Sequence, residues 1–68
     1  MSRESLIAAF RRCGASYADV AGKLLVSSWP SPELAALCIE RMKRVGCLNI
    51  TSYANPDNET TVEGELPI

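Results

Sequence analysis

The side chains best equipped for chemistry in this chain are three cysteines, Cys13, Cys38 and Cys47, and eight carboxylates, with no histidine among them. A zinc site asks for Cys or His ligands at short spacing, and these cysteines stand far apart. An odd number at unequal intervals does not describe a disulfide framework either, so the plain reading is three small buried hydrophobes. Without histidine, a general base would have to be a carboxylate, a lysine or a cysteine. The acids fall at helix starts and in the C-terminal third, where capping and solvation account for them. The chain has no glycine-rich phosphate loop and no serine elbow. The expectation is a protein that binds rather than catalyses, with no cofactor and no metal.

Charge is the more informative pattern. Residues 1–44 carry all seven basic side chains and only Glu4, Asp19, Glu33 and Glu40 as acids. Residues 45–68 carry Asp57, Glu59, Glu63 and Glu65 and no base. Such segregation points to a surface with two electrostatic ends. No apolar run approaches a membrane span, and Arg3, Glu4, Arg11 and Arg12 flank only the short stretch Leu6–Phe10, unlike a secretory signal. A cytoplasmic protein that does not engage membranes is therefore expected. The triplets Asn49-Ile50-Thr51 and Asn58-Glu59-Thr60 then match a glycosylation acceptor by chance.

The elements that position these groups follow from periodicity. Leu6, Ile7, Phe10 and Cys13 share one face of a helix over 3–13, with Ser2 as its cap and Gly14 as its stop. Tyr17, Val20, Ala21 and Leu24 recur at helical steps behind Ser16 and Asp19, which predicts a second helix over 17–25. Val26 to Pro30 then reads as a turn. Ser31-Pro32-Glu33 is a strong start signal, combining a capping hydroxyl, proline at the first helical position and an acid at the positive end of the dipole. It opens a third helix over 32–45, whose stripe Ala35, Cys38, Ile39, Met42 and Val45 faces inward and whose last turn holds Arg41, Lys43 and Arg44. After Gly46 the period becomes two. Leu48 and Ile50 alternate with polar residues, Asn55-Pro56-Asp57-Asn58 supplies a turn, and Val62 alternates with Glu63 and Glu65, which predicts a hairpin over 47–66.

Helix, short helix, turn, capped helix and hairpin make an α+β chain: a three-helix winged helix-turn-helix core with a C-terminal two-stranded wing, in a single domain over 1–68. The stretches Ser16–Leu24 and Ser31–Ile50 resemble the supporting helix and the recognition helix of the winged helix-turn-helix domains of bacterial repressors, such as the DNA-binding domain of LexA. The resemblance implies a small DNA-binding protein acting in transcription regulation. On it, Ser31, Glu33, Leu34 and Leu37 would face base edges of double-stranded DNA. Arg41, Lys43, Arg44, Arg11 and Arg12 would lie along the phosphate backbone.

Two features depart from that pattern. The reading positions lack the side chains that make bidentate base contacts. The hairpin is acidic where phosphate contacts would need bases. The alternative is a protein-protein interaction module using Leu34 and Leu37 beside Trp29 and Pro30, with Arg41 and Arg44 as rim. Trp29 and Leu37 either stand exposed in that patch or fold back into the core. The opposite-charge halves also allow a homodimer.

Overall fold

The computed structural model describes residues 2–67. Its elements run α1 (Arg3–Arg12), β1 (Tyr17–Ala21), β2 (Leu24–Trp29), α2 (Pro32–Arg44), β3 (Leu48–Ala54) and β4 (Thr60–Glu65). The strands form one antiparallel sheet in the order β1-β2-β4-β3. Because β4 lies antiparallel to both β2 and β3, those two run the same way, and α2 is the crossover that carries the chain over β4 between them.

This arrangement corrects the expected three-helix winged helix core. Among the described residues there are two helices, and the segments read as a helix over 17–25 and a turn over 26–30 together hold the hairpin of β1 and β2. Its buried positions alternate: Ala18 and Val20 on β1, then Leu25, Ser27 and Trp29 on β2. Tyr17, Val20, Ala21 and Leu24 match a helical period only by coincidence, and Ala21 and Leu24 face solvent. Gly22 decides the matter locally. It has φ 63 and opens the two-residue turn Gly22-Lys23 between the paired Ala21 and Leu24. That is the glycine position of a tight hairpin turn, whereas a mid-helix glycine costs about 1 kcal/mol.

The C-terminal hairpin is likewise no free wing. β4 is an interior strand, hydrogen-bonded to β2 on one side and β3 on the other, and Val62 and Gly64 are buried beneath α2. The two helices themselves start where the sequence places them. Ser2 Oγ accepts from the Ser5 N–H, and Ser31 Oγ accepts from the Leu34 N–H, at the head of a helix that has proline in its first turn. Gly14, at φ 111, follows the end of α1. Val45 departs from the predicted inward stripe: it caps α2 and is 65% exposed. Cys13, expected on the inner face of the first helix, is also exposed.

The core lies between the helices and one face of the sheet, built from Val20, Leu25, Trp29, Ala35, Cys38, Met42 and Val62. Its one buried polar side chain on β2, Ser27, is satisfied: the Trp29 Nε1–H donates to its Oγ at 2.9 Å, and Cys38 Sγ lies 3.7 Å away. α2 buries Ala35, Cys38 and Met42 completely. α1 buries none of its residues fully, and Leu6, Ile7 and Phe10 remain half-buried against the core. That difference sets up the site.

Candidate functional site: the cleft between the helices

The helices run antiparallel across the sheet. The C-terminal end of α1 meets the start of α2, where a Cβ on Gly14 would lie 3.4 Å from Leu34 Cδ1. Leu6, in the first turns of α1, joins Met42 and Val45 of α2 around a common hollow. Because α1 leans on β1 and α2 on β2, β4 and β3, the two do not close against each other.

Two connected depressions result. One, of about 130 Å³, is lined by Ala9, Phe10, Cys13, Trp29, Cys38 and Arg41. The second, of about 100 Å³, is lined mainly by Leu6, Phe10, Leu25, Met42 and Leu66. Phe10 and Arg41 border both, so the depressions form one apolar cleft with a single cation over it. Phe10 and Trp29 make an aromatic floor, their ring centroids 6.1 Å apart and tilted by 47°. The Arg41 guanidinium reaches across from α2, and its Nη1 donates to Cys13 Sγ on the α1 side at 2.9 Å.

Of the nine residues singled out by the sequence, Arg41 is the one at the cleft. Ser31 is spent on capping α2. Leu34 is half-buried against the core and touches the Gly14 turn. Leu37 is 52% exposed while Trp29 is only 2% exposed, so the two do not share a patch. Glu33, Lys43, Arg44, Arg11 and Arg12 are exposed on the outer surface of the helices. The residues that sequence reasoning missed are Ala9, Phe10 and Cys13, while Trp29, considered there only beside Leu34 and Leu37, belongs to the cleft instead. Their one available signal was an aromatic residue in each of two segments with a small residue beside it, which reads as ordinary core.

The opposite face of the sheet is polar. Tyr17, Ser28, Thr61 and Tyr53 form one row across all four strands, and Asp19, Val26, Glu63 and Thr51 form the next. The acids here have local donors. Tyr53 O–H donates to Glu63 Oε2 at 2.7 Å, which raises the phenol above its ordinary range, and Asn49 Nδ2 donates to Glu65 at 3.0 Å. Asp19 pairs with Arg3. The charge segregation read along the chain therefore becomes a layered one. Arg3, Arg11, Arg12, Arg41, Lys43 and Arg44 all sit on the helices, while Asp19, Glu63 and Glu65 line the open sheet face.

The cysteines differ in setting. Burial pushes the Cys38 thiol up from its ordinary value, against weaker opposing hydrogen bonds from Ser27 and Trp29. Burial also raises Cys47. Cys13 is exposed at the cleft mouth. In the native protein, a thiol-specific reagent such as a maleimide is expected to label Cys13 first, with Cys38 reacting only on unfolding. Peptide mapping of the labelled chain reads this out directly, and early Cys38 labelling would mean that the cleft opens further than its static form. Among the described residues there is no group of three or more His, Cys, Asp or Glu placed to hold a metal ion. No helix there is long and apolar enough to cross a membrane.

No family model, curated protein or solved structure matches this chain.

Proposed function

We propose that this chain is a non-catalytic binding module that takes an apolar side chain of a partner protein into the cleft between α1 and α2, beneath Arg41. The observation that carries this reading is the cleft itself. It has an aromatic floor of Phe10 and Trp29 in a chain with few aromatics, and one helix that leaves its apolar face half-covered. An apolar centre with an arginine at its edge is the composition of a protein interface. A space of about 130 Å³ accepts one phenyl or leucyl side chain. The excess of base over acid on the two helices favours carboxylates flanking that side chain in the partner.

Double-stranded DNA is the second reading, supported by the same excess of base on the helical layer. It lacks a protruding recognition helix, because α2 is seated on the sheet through Ala35, Cys38 and Met42.

Trp29 is the only tryptophan and forms part of the cleft floor, so its emission reports occupancy. Titration with a phenylalanine-centred, glutamate-flanked peptide is expected to shift that emission. The response should be lost in Ala9→Glu, which places a charge at the cleft mouth on an exposed helical position. A peptide that gives no response in the wild type removes the protein reading. A short duplex that binds at low salt, and is released by Arg11→Ala with Arg12→Ala, would transfer it to nucleic acid.

A further inference from the structure

The two edges of the sheet are treated differently, and from that difference we infer that β3 pairs antiparallel with β3 of a second copy, joining two four-stranded sheets into one. An edge strand exposes unpaired backbone groups that template further pairing unless something blocks them. On β1 those of Val20 are blocked. Val20 C=O accepts from Arg3 Nε at 2.8 Å, and Val20 N–H donates to Asp19 Oδ1 at 2.9 Å. Both outward groups of Val20 are thus consumed by the Arg3–Asp19 pair, and α1 packs alongside.

On β3 no such plug is present among the described residues. The hairpin places Asn55 N–H on Glu59 C=O at 2.7 Å. The antiparallel ladder alternates from there, so Tyr53 and Thr51 bond inward to β4 while Ser52 and Ala54 point their N–H and C=O outward. A register shift between Leu48 and Thr51, with Asn49 at φ 53, distorts only the start of the strand. From Thr51 to Ala54 the edge is regular, exposed and without charge or proline.

These features favour a second copy as occupant. An uncharged strand meets itself without repulsion. Pairing about a two-fold axis through Tyr53 sets Ser52 of each copy against Ala54 of the other, matching outward donors to outward acceptors. It also brings together the two Tyr53 rings, each 50% exposed in the single chain. Each copy's acidic Asp57–Glu59 turn comes alongside the start of the other's β3, which begins at Leu48, a short turn after the basic end of α2 at Lys43 and Arg44. The plugged β1 edges are left at the two ends, so growth stops at the dimer. A strand edge is a small interface, so association depends on concentration.

Sedimentation equilibrium over a concentration series tests this. The wild type is expected to pass from monomer to dimer and no further. Ser52→Pro removes an outward N–H from each copy without touching the ladder to β4, and should weaken the dimer by roughly tenfold or more. Tyr53→Lys retains a donor for Glu63 but juxtaposes two cations, and should do the same. Circular dichroism matching the wild type keeps either result from being a folding defect. For the register, Tyr53→Cys in a Cys13→Ser background should oxidise to a disulfide-linked dimer, because facing Cα atoms at a non-hydrogen-bonded pair lie about 4.5 Å apart. Tyr17→Cys on the plugged edge should not. A monomer at every soluble concentration, a dimer indifferent to Ser52→Pro and Tyr53→Lys, or cross-linking through residue 17 instead of 53 would each overturn the proposal.

Discussion

Trp29→Ala is expected to leave the chain without a cooperative unfolding transition at room temperature. The indole is 2% exposed, packs against Phe10, and lies over the sheet where both helices converge. Truncating a buried tryptophan to alanine typically costs about 3–5 kcal/mol. A domain of this size has roughly 3–10 kcal/mol of stability in total. The loss is compounded by polarity. Trp29 Nε1–H is the close hydrogen-bond partner of Ser27 Oγ, which is 0% exposed, and its removal leaves that hydroxyl with the weak Cys38 sulfur contact. Trp29→Phe separates the two effects. It keeps most of the apolar volume but not the N–H, and should cost less than the alanine change. Ser27→Ala in the Trp29→Phe background should then restore part of the loss by removing the orphaned hydroxyl. Urea unfolding followed by far-ultraviolet circular dichroism measures all three. A Trp29→Ala protein that melts like the wild type would show that the indole does not hold the helices to the sheet.

That central tryptophan ends the hairpin that the sequence alone reads as a helix over 17–25 and a turn over 26–30. Helix starts were legible because capping is local chemistry: Ser31-Pro32-Glu33 and Ser2 act on backbone groups within three residues. The C-terminal hairpin was legible for the same reason, since Asn55-Pro56-Asp57-Asn58 turns the chain by itself. The segment over 17–25 has no such local arbiter except Gly22. Its apolar residues satisfy both periods, and what selects the strand is pairing of β2 with β4, which lies more than thirty positions on in register (Leu25 with Gly64, Ser27 with Val62). Long-range pairing of that kind overrides a helical pattern in a short window. Misreading it removed two strands from the sheet and made the remaining hairpin look like a wing.

The candidate site was less legible than the fold, and the reason is again topological. A cleft between two helices is set by how far apart the sheet seats them, which no spacing within either helix records. Arg41 was visible as a basic residue near a helix end, where the macrodipole alone accounts for it. Its reach to Cys13 depends on α1 and α2 running antiparallel, a consequence of where β1 and β2 leave the chain. Leu34 and Leu37 looked like a pair because they stand three positions apart, yet one faces the Gly14 turn and the other faces solvent.

Gly64→Val is expected to destabilise the fold, and by overfilling where the tryptophan change empties. Gly64 is the penultimate residue of β4, paired with Leu25 of β2 and pointing its missing side chain at α2. A Cβ there would stand 2.5 Å from Met42 Cε and 3.4 Å from Ile50 Cγ1. The glycine is not needed for backbone freedom, since its φ is not among the positive ones. It is needed for space, because it lets α2 settle onto the sheet where Met42 is 1% exposed. Alanine at this position should be tolerated in part, because a methionine terminus can rotate away and strands prefer a side chain to none. Valine adds two further methyls against the Met42 and Ile50 side chains and should cost about 1–3 kcal/mol, the usual range for overpacking. The cause is steric, so it is correctable. Met42→Ala combined with Gly64→Val should recover a part of the loss, whereas Met42→Ala alone, which opens a cavity, should destabilise by about 2–5 kcal/mol. Midpoints of urea unfolding for the two single variants and the pair give the coupling. Strict additivity would show that Gly64 and Met42 do not meet, and that α2 sits on β4 through some other contact.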